Sequence, residues 1–323
     1  MMNRSAELLF WIGRYMERAE NHTRLIDVNY HMRHELKGIE TEQAYIWEKL
    51  VAAIGDVHAF KAKHPDVNEA SALHFLTFER LHPNSVFSCI YQSRNNMRAL
   101  RQLLPSELWN TINAFYLWLM EQDISTLMNP SPHMFYQRVR EWLSLFNGMA
   151  DSLMVRELEW NFIQAGKYME RAENTVRILH TIYTNFMHDG FPFRDQNHYN
   201  RMIVLLKSVG GYEAFRRFHA NDVSFAKAAE FMMLNPTFPR SVQFSLTSLE
   251  SCLNAIKQQD YDFAVVSDQA ILLTAKIKAI LSGLDEGHPE QDGWKLLHDM
   301  LRSCHQLGLG ISKTFFQEEF VTA

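Results

Sequence analysis

Two glutamates one helical turn apart, Glu17 and Glu20, recur later in the chain as Glu170 and Glu173. Carboxylates at i and i+3 on two helices are the chemistry of two-iron or two-manganese sites, as in ferritin-like bundles. Those bundles place His at the fourth position of the motif, whereas here that position is Glu20 or Glu173, with Arg18 or Arg171 between the acids. Cations so close to the carboxylates oppose a metal, so neither metal nor cofactor is expected there. The same residues suit anion chemistry better. The row Arg94, Arg98 and Arg101 and the pair Arg216 and Arg217, joined to Arg18 and Arg171, could converge on a carboxylate or phosphate. The plainer alternative is that Glu17 and Glu170 neutralise some of these arginines inside a bundle, because buried charges are paired. Both hold if the network lines a cleft.

Other candidates carry less. Glu79 and His82 have metal spacing but precede Pro83 at a helix boundary, and His31, His34 and Glu35 read as a cluster at a helix end. No Gly-x-x-x-x-Gly-Lys or Gly-x-Gly-x-x-Gly loop is present, and no Ser or Cys sits in a nucleophile motif. Cys89, Cys252 and Cys304 are odd in number and far apart, which points to buried thiols rather than disulfides or a zinc cluster. The 16 methionines read as irregular core filling.

The element that must position the glutamates is a repeated helix. Tyr15-Met16-Glu17-Arg18-Ala19-Glu20-Asn21 returns letter for letter as Tyr168-Met169-Glu170-Arg171-Ala172-Glu173-Asn174, which signals an internal duplication. At about 100° per residue, Arg14, Glu17, Asn21 and Arg24 share one arc, with Arg18 and Glu20 on its flanks. The second copy repeats that stripe as Lys167, Glu170, Asn174 and Arg177. Such a stripe is ordinarily a solvated face laced by pairs like Glu20 with Arg24. Here Phe10, Leu25 and Val28 lie on the same arc, as do Ile163 and Ile178 in the second copy. Leu8, Ile12, Tyr15, Ala19, Ile26 and Tyr30 form an apolar face opposite. A helix apolar on one face and at both ends of the other is buried nearly all round.

Around these helices the caps and breakers predict only further helices. The first runs from a cap at or near Ser5 to Lys37, and a second from Thr41 to Lys63. Others follow over 71–78, from Asn84 or Ser85 toward Pro105, from Ser106 to Met128, and from Ser131-Pro132 to Met154. The pattern restarts near Glu157 with a helix to Asp189, then 196–209, 212–219, 224–234, 260–283 and 290–319. Pro239-Arg240-Ser241-Val242 echoes Pro83-Asn84-Ser85-Val86 at nearly the offset of the first repeat. The expected architecture is one all-α domain over 1–323, an internally duplicated helical bundle with pseudo-symmetric halves 1–155 and 156–323.

With 323 residues, 47% hydrophobic and 21% charged, a proper core is affordable in size, and a formal net charge of −5 without a basic run speaks against nucleic-acid binding. The apolar runs are too short for a signal peptide or a membrane span, so a cytoplasmic location is expected.

Taken together, these residues resemble the alpha-E proteins, a bacterial family of all-helical domains named for a Glu-Arg motif. The likeness covers nearly the whole chain. It rests on Trp11-Ile12-Gly13-Arg14-Tyr15-Met16-Glu17-Arg18, on Asn84-Ser85-Val86 with Ser93-Arg94-Asn95-Asn96-Met97-Arg98, and on Gly166-Lys167-Tyr168-Met169-Glu170-Arg171. Tyr212-Glu213-Ala214-Phe215-Arg216-Arg217 and Phe238-Pro239-Arg240-Ser241-Val242 complete it. Asn95 departs from a usual Glu, and Lys167 from a usual Arg, which keeps the charge but loses the bidentate fork. The resemblance implies companionship with ATP-grasp amide ligases and transglutaminase-like cysteine peptidases, hence work on peptide or amide bonds, and assigns no catalyst. Two function classes follow: an accessory or scaffold partner of such a ligase, or an enzyme or carboxylate-binding protein with a site between the two Glu-Arg helices. The candidate polar site comprises Arg14, Glu17, Arg18, Glu20, Asn21, Arg94 and Arg98, with Lys167, Glu170, Arg171, Glu173, Asn174, Arg216 and Arg240.

Overall fold

A computed structural model describes residues 3–33, 40–189, 196–219, 223–282 and 289–316. The described residues form helices and connecting turns, without a strand. The first helix, α1 (Asn3–Met32), is followed by α2 (Glu40–Ile54), α3 (Val57–Lys63), α4 (Glu69–Phe78), α5 (Val86–Ala99), α6 (Ser106–Met120), α7 (Ile124–Met128) and α8 (Pro132–Leu153). The long α9 (Leu158–Asp189) then leads to α10 (Gln196–Ser208), α11 (Tyr212–His219), α12 (Phe225–Leu234), α13 (Val242–Gln259), α14 (Tyr261–Ser282) and α15 (Pro289–Phe316).

Capping decides several boundaries that hydrophobic periodicity blurs. The expected helix from Thr41 to Lys63 is two helices, because the Asp56 carboxylate accepts from the backbone N–H of His58 and Ala59 and starts α3 afresh. The expected helix from Ser106 to Met128 divides likewise at Asp123, which forms a capping box with Thr126. Ser5 lies inside α1 rather than capping it. That helix ends at Met32, where the Arg33 guanidinium turns onto the Tyr30 ring, 3.6 Å from its centroid, and pairs with Glu69 at 2.9 Å. His34, Glu35, Lys37 and Gly38 lie outside the described residues. The fifth helix stops at Ala99, short of Pro105. Ser85 and Ser241 cap α5 and α13 through the N–H of Ser88 and Phe244.

The two repeat-bearing helices, α1 and α9, pack on each other more extensively than any other pair. On the outside, α5 and α8 lie against α1, α13 and α15 lie against α9, and α10 and α15 also reach α1. One hydrophobic core runs continuously from Ala6 and Leu9 through Phe115, Phe146 and Met169 to Phe315. The pair meets at glycine. A Cβ on Gly13 would lie 1.9 Å from the Ile163 carbonyl oxygen, and one on Gly166 would lie 1.9 Å from that of Phe10. Only bare backbone fits at such a distance. Contacts rise together along both helices, from Gly13 at Ile163 and Lys167 to Arg18 at Glu170, so α1 and α9 run in the same sense.

Candidate functional site

Just beyond the glycines, the charged stripes of α1 and α9 face each other. Arg18 forks onto Glu170, with Nε to Oε1 at 2.7 Å and Nη2 to Oε2 at 3.0 Å. Arg171 forks onto Glu17 in the opposite direction, at 2.8 and 2.7 Å. The Glu-Arg dipeptide of each helix thus reads its copy on the other. Two bridging arginines complete the network. Arg14 donates to Glu170 and Glu173, at 2.7 Å each. Arg240, in the turn before α13, donates to Glu17 at 3.0 Å, to Asn21 at 2.7 Å and to Glu20. Within each helix, Arg24 pairs with Glu20 and Arg177 with Glu173, the i,i+4 contacts the spacing suggested. Each of the four carboxylates is therefore held by two guanidiniums.

The second cap-bearing loops are tied to the same helices. His22 Nδ1 lies 2.8 Å from the Asn84 carbonyl and must donate to it, while Arg18 reaches the Asn84 side chain at 2.9 Å. At the corresponding places in α9, Thr175 donates to the Arg240 carbonyl at 3.0 Å and Arg171 to that of Pro239 at 3.2 Å. The bridging roles are not matched one for one. Arg14 serves α9, but its counterpart Lys167 turns to Asn147 at 3.3 Å, and Arg240, standing where the first half has Asn84, does the bridging on α1.

Burial sets the electrostatics. Glu17 and Glu170 expose 1% of their side chains, whereas Arg24 and Arg177 expose 31% and 28%, so the network opens toward solvent at its far end. Burial pushes the Glu17 carboxyl up, but Arg171 and Arg240 outweigh it and hold the group well below the usual carboxylate range. Glu170 is held down in the same way by Arg18 and Arg14. Burial lowers Lys167 and also Arg240, which its two carboxylates compensate only in part. His22 is lowered to about 3 by burial and by Arg18, so it is a neutral imidazole. Among these groups six guanidiniums and Lys167 face four carboxylates, and Asn21 Nδ2 is buried with no protein acceptor among the described residues.

The structure brings Arg14, Glu17, Arg18, Glu20, Asn21, Glu170, Arg171, Glu173 and Arg240 into one network, with Lys167 at its edge and Asn174 buried on α9. It places the other candidates elsewhere. Arg94 donates to Asn113 at 2.8 Å and lies over the Tyr116 ring, Arg98 is exposed, and Arg216 sits 5.8 Å from the Tyr212 ring. Arg94 thus engages α6 and Arg216 its own helix, α11, and among the described residues none of the three joins the ion pairs of Arg18 and Arg171. Gly13 and Gly166 escaped notice as the crossing point, and Arg24, Arg177 and His22 as members of the site. The repeat carried the signal for all but His22, since Gly13 with Gly166 and Arg24 with Arg177 keep the spacing of the two motifs. The thiols of Cys89, Cys252 and Cys304 are buried and each pushed up to about 12. Glu79 caps the end of α4 and pairs with Lys63, and His82 stacks on Phe75.

No described helix is long and apolar enough to cross a membrane. A family profile described as a predicted alpha-helical domain with a conserved ER motif matches residues 1–316. The chain is also similar to uncharacterized proteins of Mycobacterium bovis, at 26% identity over 263 residues, and of Mycobacterium tuberculosis, at 26% and 25% in two strains. Each match covers 76% of this chain and 29% of the relative, so the chain spans under a third of their length. No solved structure matches.

Proposed function

The chain belongs to the Alpha-E family, and from that premise we propose that it is a non-catalytic accessory or scaffold domain serving an ATP-grasp amide ligase, with a transglutaminase-like protein as a further partner. The observation that carries this reading is the saturation of the Glu-Arg motif. General acid or base chemistry needs a group poised near the working pH and within reach of substrate. Glu17 and Glu170 are held far below that range by paired guanidiniums, and the three thiols lie far above it. The share of the mycobacterial relatives that this chain covers suits a module working beside other domains. The same proposal takes the halves 1–155 and 156–323 as duplicates about a pseudo-two-fold within one domain. The reciprocal Arg18 with Glu170 and Arg171 with Glu17 forks support that, as do the paired glycines.

The purified chain will neither hydrolyse ATP nor form amide bonds, and will alter the rate or substrate range of an ATP-grasp ligase that co-elutes with it. ATP turnover by the chain alone, lost in Arg171→Gln with the helical spectrum intact, would overturn this.

A second reading is favoured by the surplus of cations and the orphaned Asn21 Nδ2: the solvent-facing end of the network takes an anion such as a substrate carboxylate. Calorimetry with acyl and peptide carboxylates, repeated on Arg24→Gln and Arg177→Gln, distinguishes it. Heat of binding that both substitutions remove supports the site, and silence in the unaltered chain rejects it.

A further inference from the structure

Near the C-terminal end of α1, away from the Glu-Arg network, a second polar cluster joins that helix to the start of α8. Asp27 and His31 are one turn apart on α1, and His133 stands in the first turn of α8, next to Pro132. His133 Nδ1 lies 2.9 Å from Asp27 Oδ1, and His31 Nε2 lies 3.7 Å from the same oxygen. All three ligand atoms fall within 4.8 Å of one another. The other carboxylate oxygen, Oδ2, takes a hydrogen bond from Arg140, two turns further along α8. Asp27 is buried, while the two imidazoles, whose ring centroids are 4.4 Å apart, are half-exposed on the outer side.

We propose that Asp27 Oδ1, His31 Nε2 and His133 Nδ1 bind a divalent cation of the zinc type, with water in the fourth position, clasping α8 onto α1.

Two nitrogens and one oxygen suit zinc or its late first-row neighbours, whereas calcium and magnesium require more oxygen ligands. Tetrahedral bonds of the zinc type put ligand atoms roughly 3.3 Å apart. The separations of 2.9 and 3.7 Å straddle that value, so a small rotation of each imidazole seats the ion. Arg140 has two effects. It fixes the carboxylate by holding Oδ2, as hydrogen bonds around metal sites do, and its charge opposes an incoming cation. The site is therefore of moderate affinity, and Arg140 is the residue that sets it.

The test uses the untagged full chain with zinc alone as probe, by calorimetry, and with cobalt alone, by its visible absorption. One zinc should bind, with cobalt giving a four-coordinate spectrum and excess calcium or magnesium giving neither. His31→Ala and His133→Ala, both at part-exposed positions that leave the fold intact, should each weaken zinc by at least about tenfold. Arg140→Gln should tighten it several-fold, a result that a purely structural Asp27 with Arg140 ion pair does not produce. Absence of zinc binding in the unaltered chain would overturn the proposal. So would unchanged affinity in the two alanine variants, or unchanged or weaker affinity in Arg140→Gln.

Discussion

Arg240 shows how a single side chain compensates for a departure in its neighbour. Arg14 reaches across from α1 to bridge Glu170 and Glu173, and by the repeat Lys167 should do the same for Glu17 and Glu20. A lysine offers one point charge and no fork, and here it turns to Asn147 instead. Arg240 supplies the missing fork from the turn before α13. Arg240→Asn will therefore cost about 2–4 kcal/mol in denaturant melts, because it strips a charged partner from the buried Glu17 and the part-buried Glu20 at once. Adding Lys167→Arg should restore at least about 1 kcal/mol of it by rebuilding the arrangement of the first half. A double variant no more stable than Arg240→Asn would show that the two positions do not exchange roles.

The same residues set the acid limit of the fold. His22 falls from 6.5 to about 3 on folding, so below pH 6.5 the unfolded chain binds a proton that the folded chain refuses, and stability declines as pH falls. Glu17 and Glu170 are depressed from 4.5, so their contribution is present above pH 4.5 and lost as pH falls below it through their folded values. The urea midpoint should thus decline in two stages, the first between pH 6.5 and 4.5 and a steeper one below. His22→Gln keeps a donor for the Asn84 carbonyl and should flatten only the first stage. An identical first stage in that variant would remove His22 as its source.

At the scale of the helices, the network depends on how closely α1 and α9 approach. Arginine forks reach their partners at 2.7–3.0 Å only because the backbones meet at Gly13 and Gly166, one turn before the Glu-Arg dipeptides. Gly13→Ala drives a methyl into the Ile163 carbonyl, a backbone atom that cannot rotate away. The helices must part, so the loss should lie at or beyond the upper end of the about 1–3 kcal/mol that overpacking costs. By contrast Gly148→Ala on α8, where a Cβ meets nothing within 4 Å, should be neutral or slightly stabilising through helix propensity. Equal effects of the two substitutions in thermal melts would mean that the close approach carries no energy.

For the whole molecule, the consequence is that neither half can satisfy its own charges. Without α9, Glu17 loses Arg171 and Arg18 loses Glu170, and the buried stripe of α1, with Phe10 and Leu25 on the same arc, loses the helix it packs against. Fragments 1–155 and 156–323 should each lack a cooperative unfolding transition when prepared alone, and should regain one when mixed. A sharp transition in either isolated fragment would show that the halves are separate domains.

Much of this was legible in the chain before folding was considered. The helical period, the caps at Ser85 and Ser131 and the repeated heptapeptide are local signals, because they depend on residues within a few turns of one another. That the stripe is buried followed from the apolar residues around it, and the family followed from its letters. The partners of each charge did not. Arg94 and Arg98 carry the same charge on the same kind of helix as Arg14 and Arg18, yet only the latter pair meets Glu170. Which cations reach a carboxylate depends on how α1 and α9 are rotated and how near they come, and two glycines separated by half the chain decide that. The clasp of Asp27 and His31 on His133 is of the same kind, since the sequence separates those residues and only the seating of α8 against α1 brings them within reach.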